Sequence, residues 1–231
     1  MDPRSNLIII SVGGSLIIPG SVDIGFLGKF KRYILTHVNN GLRFVIISGG
    51  GKTARIYQQA AREVSEVTAE GLDWIGIHST RLNAHLLRTI FHGHAHPRII
   101  KDPNSDVDFT EDILLAAGWK PGCSTDYDAV LIAKKMGATK VINLSNIDYV
   151  YDKDPNEFPD AVKIEKIGWA AFRKLIPDHW DPGLRGPFDP VAAAEAEKIG
   201  LEVAVINGND LEELDNYISG KSFKGTLIKS K

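Results

Sequence analysis

Three glycine-rich turns carry the residues best suited to chemistry in this chain. Gly13-Gly14-Ser15 follows the apolar run Leu7–Val12, and Gly49-Gly50-Gly51-Lys52 follows Phe44–Ser48. The third apolar run, Ile113–Ala117, meets Gly118 and then Pro121-Gly122-Cys123-Ser124-Thr125-Asp126. Each apolar run reads as a buried strand, and each turn opens a helical pattern. Glycine lets backbone N–H groups approach an anion closely, and a helix N-terminus adds partial positive charge. Three such turns at one sheet edge suit two phosphorylated ligands facing each other, the requirement of a kinase whose acceptor is itself a phosphate.

The second turn excludes two better-known phosphate loops. A Walker A loop ending in Gly51-Lys52-Thr53 needs Gly at position 46, where Ile46 stands. Gly49, Gly51 and Ala54 satisfy the loose dinucleotide fingerprint, but the acidic partner at the right distance, Asp73, lies in a helical pattern instead of at a strand end. Either the glycines serve packing alone or they cradle an anion. Lys52 and Arg55 favour the cradle, since Arg55 on the first helical turn can fork onto a phosphate. Asp73, beside Gly76, suits acceptance of hydrogen bonds from ribose hydroxyls, or is a solvated helix-face residue. Arg81 and Arg88, seven apart on one helical face, either serve the site or simply face solvent, and the second is expected.

In the third turn, Thr125 and Asp128 have the spacing of a capping box. Asp126 at the same mouth suits orienting a lysine or a magnesium-bound water, and Lys120 shares the loop. The segment Asn143–Pro155 is polar and aromatic after a strand. It suits a purine and its phosphates, or is a long loop with Asp-Pro turn chemistry. His92, His94 and His96 alternate, yet no Cys or nearby carboxylate completes a zinc set, and a solvated helix end is expected.

The elements that must position these residues alternate. Strands are expected at about 6–12, 43–48, 97–101, 112–117, 139–145, 202–207 and 224–228. Helices are expected near 22–38, 52–64, 69–93, 124–136, 168–176, 188–199 and 210–218. Strand–helix alternation argues for an α/β fold with a mainly parallel sheet covered on both faces. Asp189-Pro190 places an N-cap before an N1 proline, and Gly200 ends that helix. The Pro/Gly-dense stretch 177–190 reads as a functional loop, suited to a lid over bound nucleotides.

At 231 residues the chain fits one large domain or two joined lobes. A formal charge of −2 gives no electrostatic case for nucleic acid or membrane partners. Lone Cys123 excludes an intramolecular disulfide framework and suits a reducing cytoplasm. No leader pattern and no membrane span are expected.

Taken together, these residues resemble the amino acid kinase superfamily, and within it the archaeal type of UMP kinase. The resemblance runs nearly the whole chain: Gly-Gly-Ser at 13–15, Gly-Gly-Gly-Lys-x-Ala-Arg at 49–55, and Asp73 through Thr80-Arg81-x-Asn83-Ala84. It continues with Pro-Gly-x-x-Thr-Asp at 121–126, Asn-x-Asp at 146–148, Tyr-x-x-Asp-Pro at 151–155, Asp-Pro-x-Ala-Ala at 189–193 and Gly-Thr-x-Ile at 225–228. It implies a single three-layer α/β/α sandwich, with residues 1–137 as the UMP-binding half and 138–231 as the ATP-binding half.

By matching position, it implies that Gly50, Gly51 and Arg55 hold the UMP phosphate and Asp73 the ribose. The loop from Gly118 to Thr125, with Lys120 and Ser124, would hold the uracil. Gly13, Gly14 and Ser15 would meet the transferring phosphoryl group, and Asn146, Tyr151, Asp154 and Pro155 would line ATP. The resemblance also implies Mg2+ with ATP and a homo-oligomer, commonly a hexamer.

The chain departs from the pattern at four places, one of them an unusual insert around His179 to Arg185. Ser11 stands where many superfamily members have a catalytic Lys, which favours the archaeal UMP kinases over acetylglutamate, carbamate or isopentenyl phosphate kinases. Trp119–Cys123 replaces the usual Thr-His-Pro-Gly-His, and Tyr149 replaces a Gly. A phosphate acceptor is mostly dianionic at pH 7, so no general base is expected; Lys52, Asp126 and the Gly14 turn are the expected catalytic groups.

Overall fold

Residues alternating between two apolar faces build the centre of the molecule. The structure is a computed structural model and describes residues 6–182 and 186–230. The first part of the chain runs β1 (Leu7–Val12), α1 (Gly14–Ile17), α2 (Ile24–Asn39), β2 (Arg43–Ser48), α3 (Gly51–Val64), α4 (Ala69–Ile90) and β3 (Ile113–Ala116). There follow α5 (Thr125–Met136), β4 (Lys140–Ser145), β5 (Val150–Tyr151), β6 (Lys163–Ile164), β7 (Lys166–Gly168) and α6 (Trp169–Phe172). The last elements are α7 (Pro190–Lys198), β8 (Glu202–Asn207), α8 (Leu211–Ile218) and β9 (Thr226–Lys229).

Seven strands form one sheet in the order β3-β2-β1-β4-β8-β9-β7. The first five run parallel; β9 pairs antiparallel to β8 and parallel to β7. Ile9, Val45, Leu114, Val141 and Val203 face a core shared with α5, α6 and α7. Their neighbours Ile10, Ile46, Leu115, Ile142 and Ala204 face a second core with α2, α4 and α8. Burial on both faces is why these strands are continuous apolar runs. The result is the expected three-layer α/β/α sandwich, with α3 laid outside α4.

The topology fixes where ligands can bind. After β1 the chain moves outward through β2 and β3, then returns to place β4 on the other side of β1. The carboxyl ends of β1 and β4 therefore flank a topological switch point, the usual crevice of an open α/β sheet. The turns after β1, β2 and β4 all open at this edge.

Two expected elements differ. The strand expected at 97–101 is reduced to single bridges, Ala95 with Ile113 and Ile100 with Ala116. Pro97 has no N–H to give, and the His96 ring accepts the Arg98 amide, so the segment turns away between the two bridges. The helix expected to reach 176 ends at Phe172 and continues only as turns, consistent with Pro177 disfavouring helical geometry at the residue before it. Strands β5, β6 and β7 and the one-turn α1 were not expected from the sequence.

Candidate active site

The turns after β1 and β2 interlock through backbone. Gly13 N–H bonds the Leu144 carbonyl on β4 at 2.8 Å, and Gly49 N–H bonds Val12 at 2.9 Å. A Cβ at Gly14 would lie 2.0 Å from the Gly51 nitrogen, so no side chain fits between the turns. Gly51 has φ +68°, which glycine adopts without strain. The packing role of these glycines is therefore real, and it also brings two helix N-termini to one point. The first N–H groups of α3 have no intrahelical acceptor. Of these the Lys52 amide is taken by the Ile18 carbonyl, leaving the Gly50–Gly51 end at the cavity.

Helix α4 braces both flanking loops. Asn83 donates to the Gly49 carbonyl at 2.8 Å, which holds the glycine turn from behind. Thr80 Oγ1 accepts the Gly118 amide at 2.8 Å, and Arg81 donates to the carbonyls of Gly118 and Trp119. Arg88 donates to the Pro97 carbonyl. Neither arginine simply faces solvent, as the sequence had suggested; each is spent on backbone carbonyls that no helix or sheet partner satisfies.

Between α3, α4 and the 118–125 loop lies a cavity of about 190 Å³. Gly50, Gly51, Arg55, Asp73, Gly118, Ser124 and Thr125 line it together, as do Gly76, Cys123 and Trp180. Arg55 reaches from α3 toward the first turn, with Nη1 3.4 Å from Ser15 Oγ. Asp73 is buried, and its Oδ2 accepts the Gly122 amide at 2.8 Å.

The Amino acid kinase family model matches residues 6–207. The chain belongs to the amino acid kinase family. It is 33% identical over 229 residues to the uridylate kinase of Hyperthermus butylicus, covering 96% of this chain and 97% of that one. It is 31% identical over 225 residues to the uridylate kinase of Thermococcus sibiricus, covering 96% and 99%. Among solved structures, the uridylate kinase of Archaeoglobus fulgidus superposes with a TM-score of 0.79 at 28% identity, covering 96% and 99%. The UMP kinase of Bacillus anthracis shares the fold, with a TM-score of 0.77 at 19% identity over 98% and 96%.

The other residues expected at a site of this amino acid kinase family member lie outside the cavity lining. Lys52 is exposed on the first turn of α3, outside the cavity wall. Lys120 is exposed, with its ammonium 4.0 Å from the centre of the Trp119 ring. Asn146, Asp154 and Pro155 are exposed along the segment leaving β4, and Tyr151 lies in β5 opposite Lys163. Asp154 closes an Asx turn onto the Asn156 amide at 2.9 Å. Of the histidines, His94 pairs with Asp112 at 2.8 Å, so a carboxylate does lie beside the group, and His96 is buried against the Arg98 backbone instead of lying at a solvated helix end.

Helix α5 begins one residue earlier in its chemistry than the capping-box spacing suggested. Ser124, not Thr125, is the N-cap, and its Oγ accepts the Asp126 amide at 3.0 Å. Asp128 instead accepts the Trp119 amide at 3.1 Å, while its Oδ1 is buried without a partner. Asp126 accepts the Ser11 hydroxyl at 2.9 Å, so its direct partner is a neutral hydroxyl on β1. Asp189 caps α7 and also accepts the Ser124 amide, tying the two helix starts together.

Three carboxyls thus crowd the start of α5. Burial, then the nearby Asp189, raises Asp126 to about 7 against the lowering effect of Ser11. Burial, then Asp189 and Asp126, raises Asp128 to about 8, partly offset by the Trp119 amide. Both values exceed the unfolded carboxyl range near ~4. The folded state therefore binds more protons than the unfolded one between about pH 4 and 8, and stability falls as pH rises through that window. Asp128→Asn, which keeps an acceptor for Trp119, should gain roughly 2 kcal/mol more at pH 9 than at pH 5. Urea unfolding at the two pH values checks this; an equal effect at both would rule out Asp128 as a source of the pH dependence.

Among the described residues no group of three or more His, Cys, Asp or Glu side chains is placed to hold a metal ion. The carboxyls nearest the switch point are committed to Ser11, to backbone amides and to helix caps.

Proposed function

We propose that this chain is a UMP kinase, transferring the γ-phosphoryl group of ATP to UMP to give UDP and ADP in pyrimidine nucleotide synthesis. The observation that carries the reading is the convergence of the Gly50–Gly51 helix start, Arg55 and the Asp73 carboxylate on one cavity. A phosphate monoester linked to a ribose presents matching groups: a dianion for the first two and hydroxyls for the third. The near full-length similarity to archaeal uridylate kinases supports uracil as the base.

In this reading residues 1–137 hold the acceptor and 138–231 the donor. Among the described residues the carboxyls form no set that would hold a magnesium ion, so one would come with the triphosphate and supply charge neutralisation there. The acceptor is already nucleophilic at pH 7, because its second pKa is near ~6. No side chain is needed to remove a proton, and the protein's task is to align two polyanions and offset their charge. Arg55 and the α3 N-terminus neutralise and orient the acceptor. Gly13, Gly14 and Ser15, at the switch point, would receive the transferring group, and Lys52 and Lys120, both exposed, are the candidate cations to offset its charge. Asp126, through Ser11, fixes the end of β1 behind the glycine turn. The homo-oligomer and the cytoplasm are the expected setting of such an enzyme.

A coupled ADP-release assay with magnesium and ATP tests the proposal across UMP, CMP, dUMP, AMP and isopentenyl phosphate. Turnover selective for UMP is expected. Activity on another acceptor alone would shift the assignment to a related small-molecule kinase, with the Trp119–Cys123 loop as the redirected element. No turnover on any of them would leave a nucleotide-binding protein on a kinase scaffold.

A further inference from the structure

The acceptor cavity contains a residue from the C-terminal half of the chain. Trp180, in the loop before α7, lines it and directs its indole N–H at Asp73, 3.2 Å from Oδ1 and 3.4 Å from Oδ2. The two residues lie 107 positions apart. The other bond to this carboxylate, from the Gly122 amide to Oδ2, is shorter at 2.8 Å and comes from backbone. The indole bonds stand at or beyond the long end of the N–H···O range, about 2.7–3.2 Å, so Trp180 is the more displaceable donor. The cavity it leaves, about 190 Å³, is smaller than the roughly 300 Å³ at the low end of small-molecule sites.

We propose that the Trp180 indole N–H is a built-in competitor for the acceptor's sugar hydroxyls at Asp73, so that nucleotide binding displaces it and Trp180 sets acceptor affinity. The inference rests on the reading of this cavity as the nucleoside monophosphate site. A ribose diol brings two hydroxyl donors to a carboxylate that already holds two N–H donors. The Gly122 amide stays with its loop, and the indole is the group that must yield Oδ1. Trp180 is a positioning residue in this scheme: it does not touch the reacting phosphoryl group. Its bond is a cost borne by a ligand that claims Asp73, so it holds down the affinity of a free diol and leaves a ligand that does not reach Asp73 unaffected.

Calorimetric titration of the full chain tests this with Trp180→Phe, which keeps an aromatic ring and removes the N–H. Trp180→Phe should bind UMP about 5- to 10-fold more tightly than wild type, the scale of one ordinary net hydrogen bond, since the indole contacts are long. With 2′,3′-dideoxyuridine monophosphate, which cannot claim Asp73, the two proteins should bind within about 2-fold. Equal or weaker UMP binding by Trp180→Phe, or the same gain with the dideoxy compound, would overturn the proposal. A second measurement needs no nucleotide. In ligand-free protein labelled at the indole nitrogens, the resonance missing from Trp180→Phe should exchange slowly with solvent, and faster in Asp73→Ala. Unchanged exchange would also overturn it. Failure of wild type to bind UMP, with this exchange difference intact, would count against the UMP assignment and not against the Trp180–Asp73 contact.

Discussion

Gly14→Ala should abolish phosphoryl transfer and lower the melting temperature by about 6–12 °C, the equivalent of roughly 3 kcal/mol in a chain of this size. The added methyl would lie 2.0 Å from the Gly51 nitrogen and 2.7 Å from Gly49 C and Gly50 N. All three are backbone atoms, so no rotamer change relieves the clash. The turns after β1 and β2 must separate, and the α3 start that faces the acceptor moves with them. Gly20→Ala is the control. Its added methyl meets nothing within 4 Å, and it should leave turnover and melting nearly unchanged. Differential scanning calorimetry together with the ADP-release assay checks both. A Gly14→Ala protein with wild-type turnover would show that the two turns do not act as one unit.

How much of this was legible in the sequence depends on the range of the interaction. Strands β1, β2, β4 and β8 lie within one residue of their expected bounds, because each is a continuous apolar run between turn signals. The glycine turns were legible for the same reason: local backbone needs write themselves into residue type. Strands β5 and β6 have two residues each, too short for any period, and exist only because Val150 and Tyr151 meet Ile164 and Lys163. The N-cap of α5 was missed by one position, since Ser124 and Thr125 both carry capping hydroxyls and spacing alone cannot separate them.

The site followed the same division. Residue type and spacing made the glycine turn and Arg55 candidates and left Asp73 open, the family resemblance implied all four as site residues, and the structure brings Gly50, Gly51, Arg55 and Asp73 to one cavity. The second layer was not. Thr80, Arg81 and Asn83 fall in the middle of a 22-residue helix, where polar residues ordinarily mean a solvated face. Their partners are carbonyls and amides more than 30 residues away. The Ser11–Asp126 bond spans 115 positions, and no local pattern in the sequence announces it. Trp180 was visible only as part of a Pro/Gly-dense loop, and its contact with Asp73 on α4 depends on a chain crossing that no local pattern records.

The two cations of α3 should fail in different ways when removed. Arg55 lines the cavity and approaches Ser15, and in the proposed reaction its guanidinium would meet the acceptor phosphate before and during transfer. An interaction made equally in ground and transition states lowers KM without raising kcat. Arg55→Ala should therefore raise KM for UMP about 10²-fold, with a smaller fall in kcat, as expected for losing a charge-assisted contact. Lys52 is exposed beside the α1–α3 junction, outside the acceptor wall, and can serve only charge that develops nearer the transferring group. Lys52→Ala should lower kcat about 10²-fold and leave KM for UMP nearly unchanged. Arg55→Lys separates charge from geometry: a compact ammonium restores little if bidentate recognition matters. Steady-state kinetics over UMP and ATP concentrations decides. A Lys52→Ala enzyme with wild-type kcat would remove Lys52 from the transfer step and leave the glycine turns as the chain's candidates to stabilise the phosphoryl group.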